Sequence, residues 1–242
     1  MLRFSNVGYR AGGRDILRGL TFELAEGETL VLLGRSGAGK TTALKMVNAL
    51  ILPTTGEVFV QGRPTTDWDP IELRRRIGYV IQETGLFPHF TVAANVAVVP
   101  RLNAWPQGRI DDRVNELLTR VGLPPKDFAH RYPRQLSGGQ RQRVGVARAL
   151  AADPPILLFD EPFGALDPVT RHEIRAEFKA LARDLGKTAL FVTHDVREAL
   201  EIGDHIGLVA NGRLEELLPP ADFVRARSPE ARAFLAVLEP RS

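Results

Sequence analysis

Nearly unbroken apolar runs alternate with segments of helical periodicity along this chain. The runs at 29–33, 156–160 and 188–193 are short and almost free of polar residues, which predicts strands buried in a parallel sheet. Apolar residues at helical spacing predict helices at 42–50 and 171–185. Because strands that alternate with helices form parallel sheets covered by helices, the pattern predicts an α/β fold.

Two further segments modify this prediction. The N-terminal runs at 2–7 and 17–24 have the pattern of an antiparallel sheet, and residues 91–151 have helical periodicity interrupted by prolines. The interruptions fall at Pro100, Pro106 and Pro124-Pro125. The remaining predicted elements are strands at 56–61, 77–82, 205–210 and 213–217, with an Asn211-Gly212 turn before the last, and helices at 71–76, 196–202 and 221–238. We therefore expect an α/β core with a helical insertion.

The segment between the first buried strand and the helix after it has the spacing G-x-x-x-x-G-K-[ST] of a P-loop. Its residues are Gly34, Arg35, Ser36, Gly37, Ala38, Gly39, Lys40 and Thr41. Glycine lets the backbone curl until several N–H groups point at one phosphate, and the helix N-terminus adds partial positive charge. Lys40 can then reach the β- and γ-phosphates, and the hydroxyl of Thr41 can hold Mg²⁺. We expect an ATP site here, with Thr42 as a further contact, rather than an ordinary glycine-rich turn.

Two carboxylates stand at the C-terminal end of the second buried strand. Ligands of open α/β sheets bind outside the carboxyl ends of the strands. Asp160 is therefore a candidate to support Mg²⁺, directly or through water, and Glu161 is a candidate general base for an attacking water. The alternative is a pair that only caps the following turn.

Composition excludes several kinds of function. The chain has 242 residues, a net charge of +3 and no cysteine. This charge is too small to argue for a nucleic-acid partner, and the lack of cysteine excludes disulfides, thiolate metal sites and thiol catalysis. Lysine is scarce beside arginine, so Lys40 departs from the general preference of the chain. Because no apolar run approaches the roughly 18 residues of a membrane span, we expect any membrane role to be peripheral.

A second glycine-rich segment, which we call the signature segment, opens another predicted helix. It consists of Leu136, Ser137, Gly138, Gly139 and Gln140. A hydroxyl and bare N–H groups at a helix N-terminus make a second anion site, unless the segment only caps the helix. The P-loop, the signature segment and the Asp160-Glu161 pair occur in the order and spacing of the ABC-type ATPase family, which this chain resembles over essentially its whole length.

This resemblance implies a P-loop NTPase (RecA-like) core with an N-terminal antiparallel β subdomain, formed by residues 1–90 and 152–220. It implies an inserted helical subdomain at 91–151 and a helical tail at 221–242. It also implies that two copies dimerise head to tail and hold each ATP between the P-loop of one copy and the signature segment of the other.

Further positions match the family residue by residue. The resemblance assigns Gln82 to sensing Mg²⁺ beside the membrane subunits, Asp167 to a loop that faces the partner copy, and His194 to contact with the γ-phosphate. The family usually stacks an aromatic ring on adenine at the position of Ala11, and Tyr9 is the candidate replacement, the alternative being weak stacking.

The segment at 78–89 resembles that of osmoprotectant importers, which take up glycine betaine, choline, carnitine or similar quaternary amines. The resemblance implies a peripheral subunit at the cytoplasmic face of the membrane that uses ATP and Mg²⁺. Its partners would be integral membrane permease subunits and, through them, an extracytoplasmic substrate-binding protein. Many members also carry a C-terminal pair of CBS modules, which we do not expect here because few residues follow position 202.

We expect the surface that couples to the permease to lie around residues 83–91 and the early part of the helical insertion. Leu86, Phe87 and Phe90 would be exposed for that partner, unless they pack on the inserted helices. Two alternatives to osmoprotectant import stay open: a transporter for another cargo, such as an amino acid, an anion or a lipid, and a soluble ABC ATPase outside transport.

Overall fold

The computed structural model describes residues 1–82, 85–164 and 166–238, and they fall into two compact units. The first unit contains residues 1–73 and the chain from 188 onward, and the second contains residues 74–187. The strands are β1 (Leu2–Ala11), β2 (Arg14–Leu24), β3 (Thr29–Leu33), β4 (Thr55–Val60), β5 (Arg63–Pro64), β6 (Ile77–Val80), β7 (Ile156–Asp160), β8 (Thr188–Thr193), β9 (His205–Ala210) and β10 (Arg213–Leu218). The helices are α1 (Lys40–Val47), α2 (Pro70–Arg75), α3 (Val92–Val96), α4 (Val98–Leu102), α5 (Gln107–Arg120), α6 (Pro125–Phe128), α7 (Gly138–Leu150), α8 (Pro168–Asp184), α9 (Val196–Ile202), α10 (Pro220–Phe223) and α11 (Pro229–Leu235).

An antiparallel sheet with the strand order β2-β1-β4-β5 forms part of the first unit. Phe4 of β1 lies opposite Phe22 of β2, and the two rings stack with their centroids 4.4 Å apart. Alternate apolar side chains of both strands are buried, as expected for a sheet with one covered face. The predicted antiparallel pairing is confirmed, and β1 extends further than predicted because the chain turns only at Gly12-Gly13, where φ is positive.

Parallel strands make up the other sheet region of the first unit. β3 lies between β8 and β9 and is parallel to both, and β10 pairs with β9 in the antiparallel sense. Every residue of β3 and β8 is buried, which explains their almost unbroken apolar sequences. The β9–β10 hairpin turns at Asn211-Gly212, where both residues have the positive φ that a two-residue hairpin turn requires. These predicted strands and the hairpin are confirmed.

The tail differs from the predicted continuous helix, because it contains the two short helices α10 and α11. Ser228 has extended backbone, as the residue before a proline prefers, and it caps α11 by accepting a hydrogen bond from the N–H of Ala231. Phe223 and Ala231 are fully buried and hold the two helices on the first unit.

The second unit contains the parallel pair β6–β7 and most of the helices. α5 buries one stripe of apolar residues, at Ile110, Val114, Leu117 and Leu118. Pro106 and Pro124-Pro125 stand at helix starts as the pattern predicted, but Pro100 does not interrupt a helix. It lies in the first turn of α4, where a missing N–H leaves no intrahelical bond unmade. The predicted subdomain boundaries stay a prediction.

Within the described part of the chain, no helix combines the length and the apolar character needed to cross a membrane.

Candidate functional site

The P-loop connects the end of β3 to the start of α1 through residues 34–39. Gly39 has a φ of 100°, in the left-handed region that glycine adopts without strain. A Cβ atom on Gly39 would lie 2.6 Å from Cδ2 of Leu17, and a Cβ atom on Gly34 would meet the carbonyl oxygen of Val209. Close packing therefore requires glycine at both positions, in addition to the needs of a ligand.

The Lys40 side chain lies inside the loop. It is only 5% exposed, and its Nζ donates to the carbonyl oxygens of Gly34 at 2.7 Å and Arg35 at 2.9 Å. The Arg35 carbonyl also accepts from the N–H of Ala38 at 3.2 Å, which closes a turn within the loop. These bonds fix the ammonium group beside the backbone that the motif predicts as a phosphate cradle.

A pocket of about 280 Å³ borders the loop. It is lined by residues 35–38, by residues 209–211 of the β9–β10 hairpin, and by Glu230 of α11. Nε of Arg35 lies 2.6 Å from Oε1 of Glu230, and this hydrogen bond and the carboxylate charge raise the pKa of Arg35. Sequence reasoning missed Glu230 because it lies 195 residues from Arg35 and belongs to no motif.

Several other residues predicted for the ATP site also lie in the first unit. His194 is exposed directly after β8, on a turn that Thr193 fixes by donating to the Glu198 carboxylate at 2.5 Å and accepting from the N–H of Asp195 at 3.0 Å. Tyr9 is half-buried on β1 opposite Leu17, the residue that packs against Gly39. Thr41 and Thr42 are half-buried in the first turn of α1, and Ala11 is exposed.

The carboxylate pair of the second unit follows β7 as predicted. Asp160 is 8% exposed and accepts a hydrogen bond from the hydroxyl of Tyr79 over 3.3 Å. Burial and the Asp160 charge raise the pKa of Tyr79 well above its usual value, so this hydroxyl keeps its proton. Glu161 is half-buried and has a φ of 45°, an uncommon conformation for a residue other than glycine and one that collects at functional sites.

The signature segment forms a complete capping box at the start of α7. The hydroxyl of Ser137 accepts from the N–H of Gln140 at 3.2 Å, while the Gln140 side chain accepts from the N–H of Ser137 at 2.9 Å. Because a hydroxyl that accepts one bond still has its own hydrogen to donate, Ser137 can cap the helix and contact a ligand at once. Gly138 is half-buried and Gly139 is buried.

Two predicted loops are described only in part. Gln82 is exposed immediately before residues 83 and 84, which lie outside the described residues together with Ala165. Asp167 is exposed, and its carbonyl accepts from the N–H of Arg171 at the start of α8. Among the residues that the structure describes, no group of three His, Cys, Asp or Glu side chains could hold a metal ion.

Residues 83–91, which we call the coupling segment after its predicted role, are supported in their described part by a side chain that the sequence did not reveal. Asn95 is fully buried in α3, where its side chain accepts from the N–H of Phe87 at 2.8 Å and donates to the carbonyl of Phe90 at 3.2 Å. It also donates to the carbonyls of Phe87 and Thr91. Phe87 remains 42% exposed and Phe90 is half-buried, as is Leu86.

The fold and the arrangement of motifs define an ATP-binding cassette. The profile of the family described as "ABC transporter" matches residues 17–164, and the chain belongs to this family. A solved ATP-binding cassette, MJ0796, captured as a dimer with ADP and Pi, is 36% identical with a TM-score of 0.80, over 91% of this chain and 99% of that one. The predicted ABC ATPase fold is confirmed.

Among curated proteins, the chain is similar to ATP-binding proteins of osmoprotectant transport systems. The chain is 48% identical to the choline transport ATP-binding protein OpuBA of Bacillus subtilis, over 93% of this chain and 59% of the relative. It is 49% identical to the osmoprotectant import ATP-binding protein OsmV of Salmonella typhimurium, over 85% and 54%, and 48% identical to the glycine betaine uptake system ATP-binding protein YehX of Escherichia coli, over 93% and 75%. The chain thus spans little more than half the length of the first two.

Proposed function

We propose that this chain binds and hydrolyses ATP to power an ABC importer of quaternary-amine osmoprotectants such as glycine betaine, choline or carnitine. The observation that carries the ATP part is Lys40, a buried ammonium group held by two P-loop carbonyls at the start of a helix. A buried cation at a helix N-terminus suits the phosphates of a nucleotide, because both supply positive potential at the same place.

Mg²⁺ would be held by oxygen atoms of Thr41, Gln82 and Asp160. A hydroxyl, an amide and a carboxylate are the hard ligands that Mg²⁺ prefers, and so small a set leaves positions for phosphate oxygens and water. When bound, Mg²⁺ neutralises charge that develops on the transferred phosphoryl group. Tyr79 supports this assignment, because its hydroxyl donates to Asp160 and restricts the orientation of the carboxylate.

Glu161 is the proposed general base for the attacking water, and His194 the proposed contact to the γ-phosphate. Thr193, Asp195 and Glu198 fix the turn that presents His194, so the imidazole needs little reorganisation. Ser137, Gly138, Gly139 and Gln140 would contact the ATP of a second copy, with Asp167 facing that copy. Tyr9 is the proposed contact to adenine.

The partner would be an integral membrane permease that docks on the coupling segment, and a substrate-binding protein would act through it. Phe87 is exposed beside an apolar groove of about 300 Å³ that also includes Ile81, Val98 and Val99. Asn95 presents this loop in a fixed conformation, which lowers the entropy lost on docking. Such a surface suits an apolar segment at the cytoplasmic face of the membrane.

The proposed cargo follows from the relatives that are 48–49% identical to this chain. Their names assign them to choline transport, osmoprotectant import and glycine betaine uptake. A sulfate/thiosulfate import ATP-binding protein of Synechocystis is 41% identical, so an anion importer is the second candidate. In this proposal the chain acts on the permease and not on the cargo, so its own surface does not decide between the two candidates.

Two assays test the proposal. Purified wild-type chain should release phosphate from Mg-ATP, and its Glu161→Gln variant should bind ATP without releasing phosphate. Proteoliposomes with the chain, its permease and its binding protein should accumulate labelled glycine betaine or choline when ATP is enclosed. ATP-driven uptake of sulfate but of neither amine would show that the cargo is an anion. If the wild-type chain released no phosphate and drove no uptake, the proposed ATPase activity would be contradicted.

A further inference from the structure

An ion pair joins the P-loop to a residue outside the motif, in the tail of the chain. Nε of Arg35 donates to Oε1 of Glu230 over 2.6 Å, and both residues line the pocket of about 280 Å³ at the loop. We propose that Glu230 is a positioning residue for ATP binding, which holds Arg35 and the first half of the P-loop in the conformation that receives phosphate. This inference rests on the proposed function of the loop.

Arg35 contributes to the backbone structure of the loop as well as to the ion pair. Its carbonyl oxygen accepts from Nζ of Lys40 at 2.9 Å and from the N–H of Ala38 at 3.2 Å. A rotation of the Arg35 carbonyl would break both bonds and remove one of the carbonyls that hold the ammonium group. Its side chain is 70% exposed, and the contact with Glu230 restrains it on the outer side of the loop.

Glu230 is itself firmly placed. It lies in the first turn of α11, where Ser228 caps the helix and the N–H of Ser228 donates to Oε1 of Glu216 on β10 at 3.3 Å. Ala231, the next residue, is fully buried, and the Glu230 side chain is 23% exposed. The carboxylate is therefore the fixed member of the pair, and the arginine is the member that it restrains.

The direction in which one substitution changes ATP affinity distinguishes a positioning role of Glu230 from a purely electrostatic one. Glu230→Gln leaves the positive charge of Arg35 unpaired next to an anion site, and charge alone would then strengthen ATP binding. A positioning role predicts weaker ATP binding instead. The loop loses the restraint from Glu230, and ordering it when the nucleotide binds then costs free energy. Arg35→Gln weakens binding under both accounts, so Glu230→Gln is the decisive variant.

The experiment measures the Kd of a fluorescent ATP analogue, and the KM and kcat of ATP hydrolysis, for Glu230→Gln, Arg35→Gln and the double variant. We expect each single change to raise Kd and KM about two- to fivefold, the range of an exposed ion pair, with less effect on kcat. The double variant should be no weaker than the weaker single one, because both remove the same contact. Glu230→Asp, which keeps the charge, should recover part of the affinity.

Glu215→Gln, at an exposed glutamate of β10 outside the pocket, is the matched control and should bind as wild type does. Thermal unfolding of each variant should stay close to that of wild type, since an ion pair at the surface contributes little to stability. Tighter or unchanged binding by Glu230→Gln would overturn the inference. A wild-type chain that binds no nucleotide would instead contradict the proposed function, which the same titration shows before any variant is compared.

Discussion

Two helices of this chain begin at glycine-rich motifs, and their N-termini are completed in different ways. α1 follows Gly39 in the left-handed conformation, and no side chain caps it there. α7 follows Ser137, whose capping box with Gln140 satisfies the helix end before any ligand arrives. The fold therefore completes the second N-terminus with its own side chains, and a phosphate would take that place at the first N-terminus if the predicted ATP site is correct.

The side chains that carry charge and hydroxyl chemistry differ in the same way. Lys40 is buried and held by the loop that it serves, whereas Ser137 is exposed at the surface of the second unit. A buried ammonium group supplies strong positive potential, while an exposed hydroxyl supplies one directional hydrogen bond. Substitution should thus affect mainly function at α1, and both stability and function at α7.

The largest expected effect comes from Lys40→Ala. Loss of the ammonium group should lower ATP hydrolysis at least about a hundredfold, because it removes a preorganised positive charge from the phosphate site. Phosphate release and ATP binding measure this effect. Lys45→Ala, on the same helix outside the motif, should keep most of the activity, and equal losses in both variants would contradict the special role of Lys40.

Asn95 extends the comparison to a loop that one side chain holds. Asn95→Ala should lower the free energy of unfolding by about 1–3 kcal/mol, because the fully buried amide of Asn95 is removed and the partly buried backbone groups of Phe87, Phe90 and Thr91 lose its hydrogen bonds. Urea unfolding measures the loss. Asn115→Ala, at an exposed position of α5, should stay within about 0.5 kcal/mol of wild type. An equally small loss for Asn95→Ala would contradict the stabilising role of the Asn95 hydrogen bonds.

Two substitutions at Ser137 separate its capping from its ligand contact. Ser137→Ala should cost about 1 kcal/mol of stability, whereas Ser137→Gly should cost only a few tenths, because glycine tolerates the N-cap position. Both remove the hydroxyl, so both should lose ATP hydrolysis to a similar degree. Chemical unfolding and phosphate release check the two effects, and an alanine variant with full activity would mean that Ser137 only caps the helix.

The smallest effect concerns Tyr79 and depends on pH. Its pKa is raised in the folded chain by burial and by Asp160, so the unfolded chain loses the phenolic proton first as the pH passes about 10. Stability from this group is therefore intact below about pH 10 and falls above it. Tyr79→Phe should lack that alkaline fall in urea unfolding, and an identical pH dependence in both proteins would contradict the shift.

Sequence patterns predicted the features that depend on local chemistry. β3, β7 and β8 have the bounds that their apolar runs predicted, because burial on both faces leaves an unbroken signal. The fold class is confirmed, and the P-loop connects β3 to α1 as expected. The roles of Glu161, His194 and the signature segment stay predictions.

The features that sequence reasoning missed depend on contacts between residues far apart in the chain, or on the position of a proline relative to a helix end. Glu230 and Tyr79 meet their partners across 195 and 81 residues, and no local pattern records such a contact. The break in the tail was readable from Ser228-Pro229, because a proline disfavours helix in the residue before it. Pro100 was misread, since a proline in the first turn of a helix does not end it.

The central claim is that the P-loop of one copy and the signature segment of another complete one ATP site. Light scattering coupled to size-exclusion chromatography tests it directly, on Glu161→Gln with and without Mg-ATP. The account predicts a dimer only with Mg-ATP, and its loss when Ser137→Ala is added. A Glu161→Gln chain that binds ATP and remains a monomer would contradict the claim.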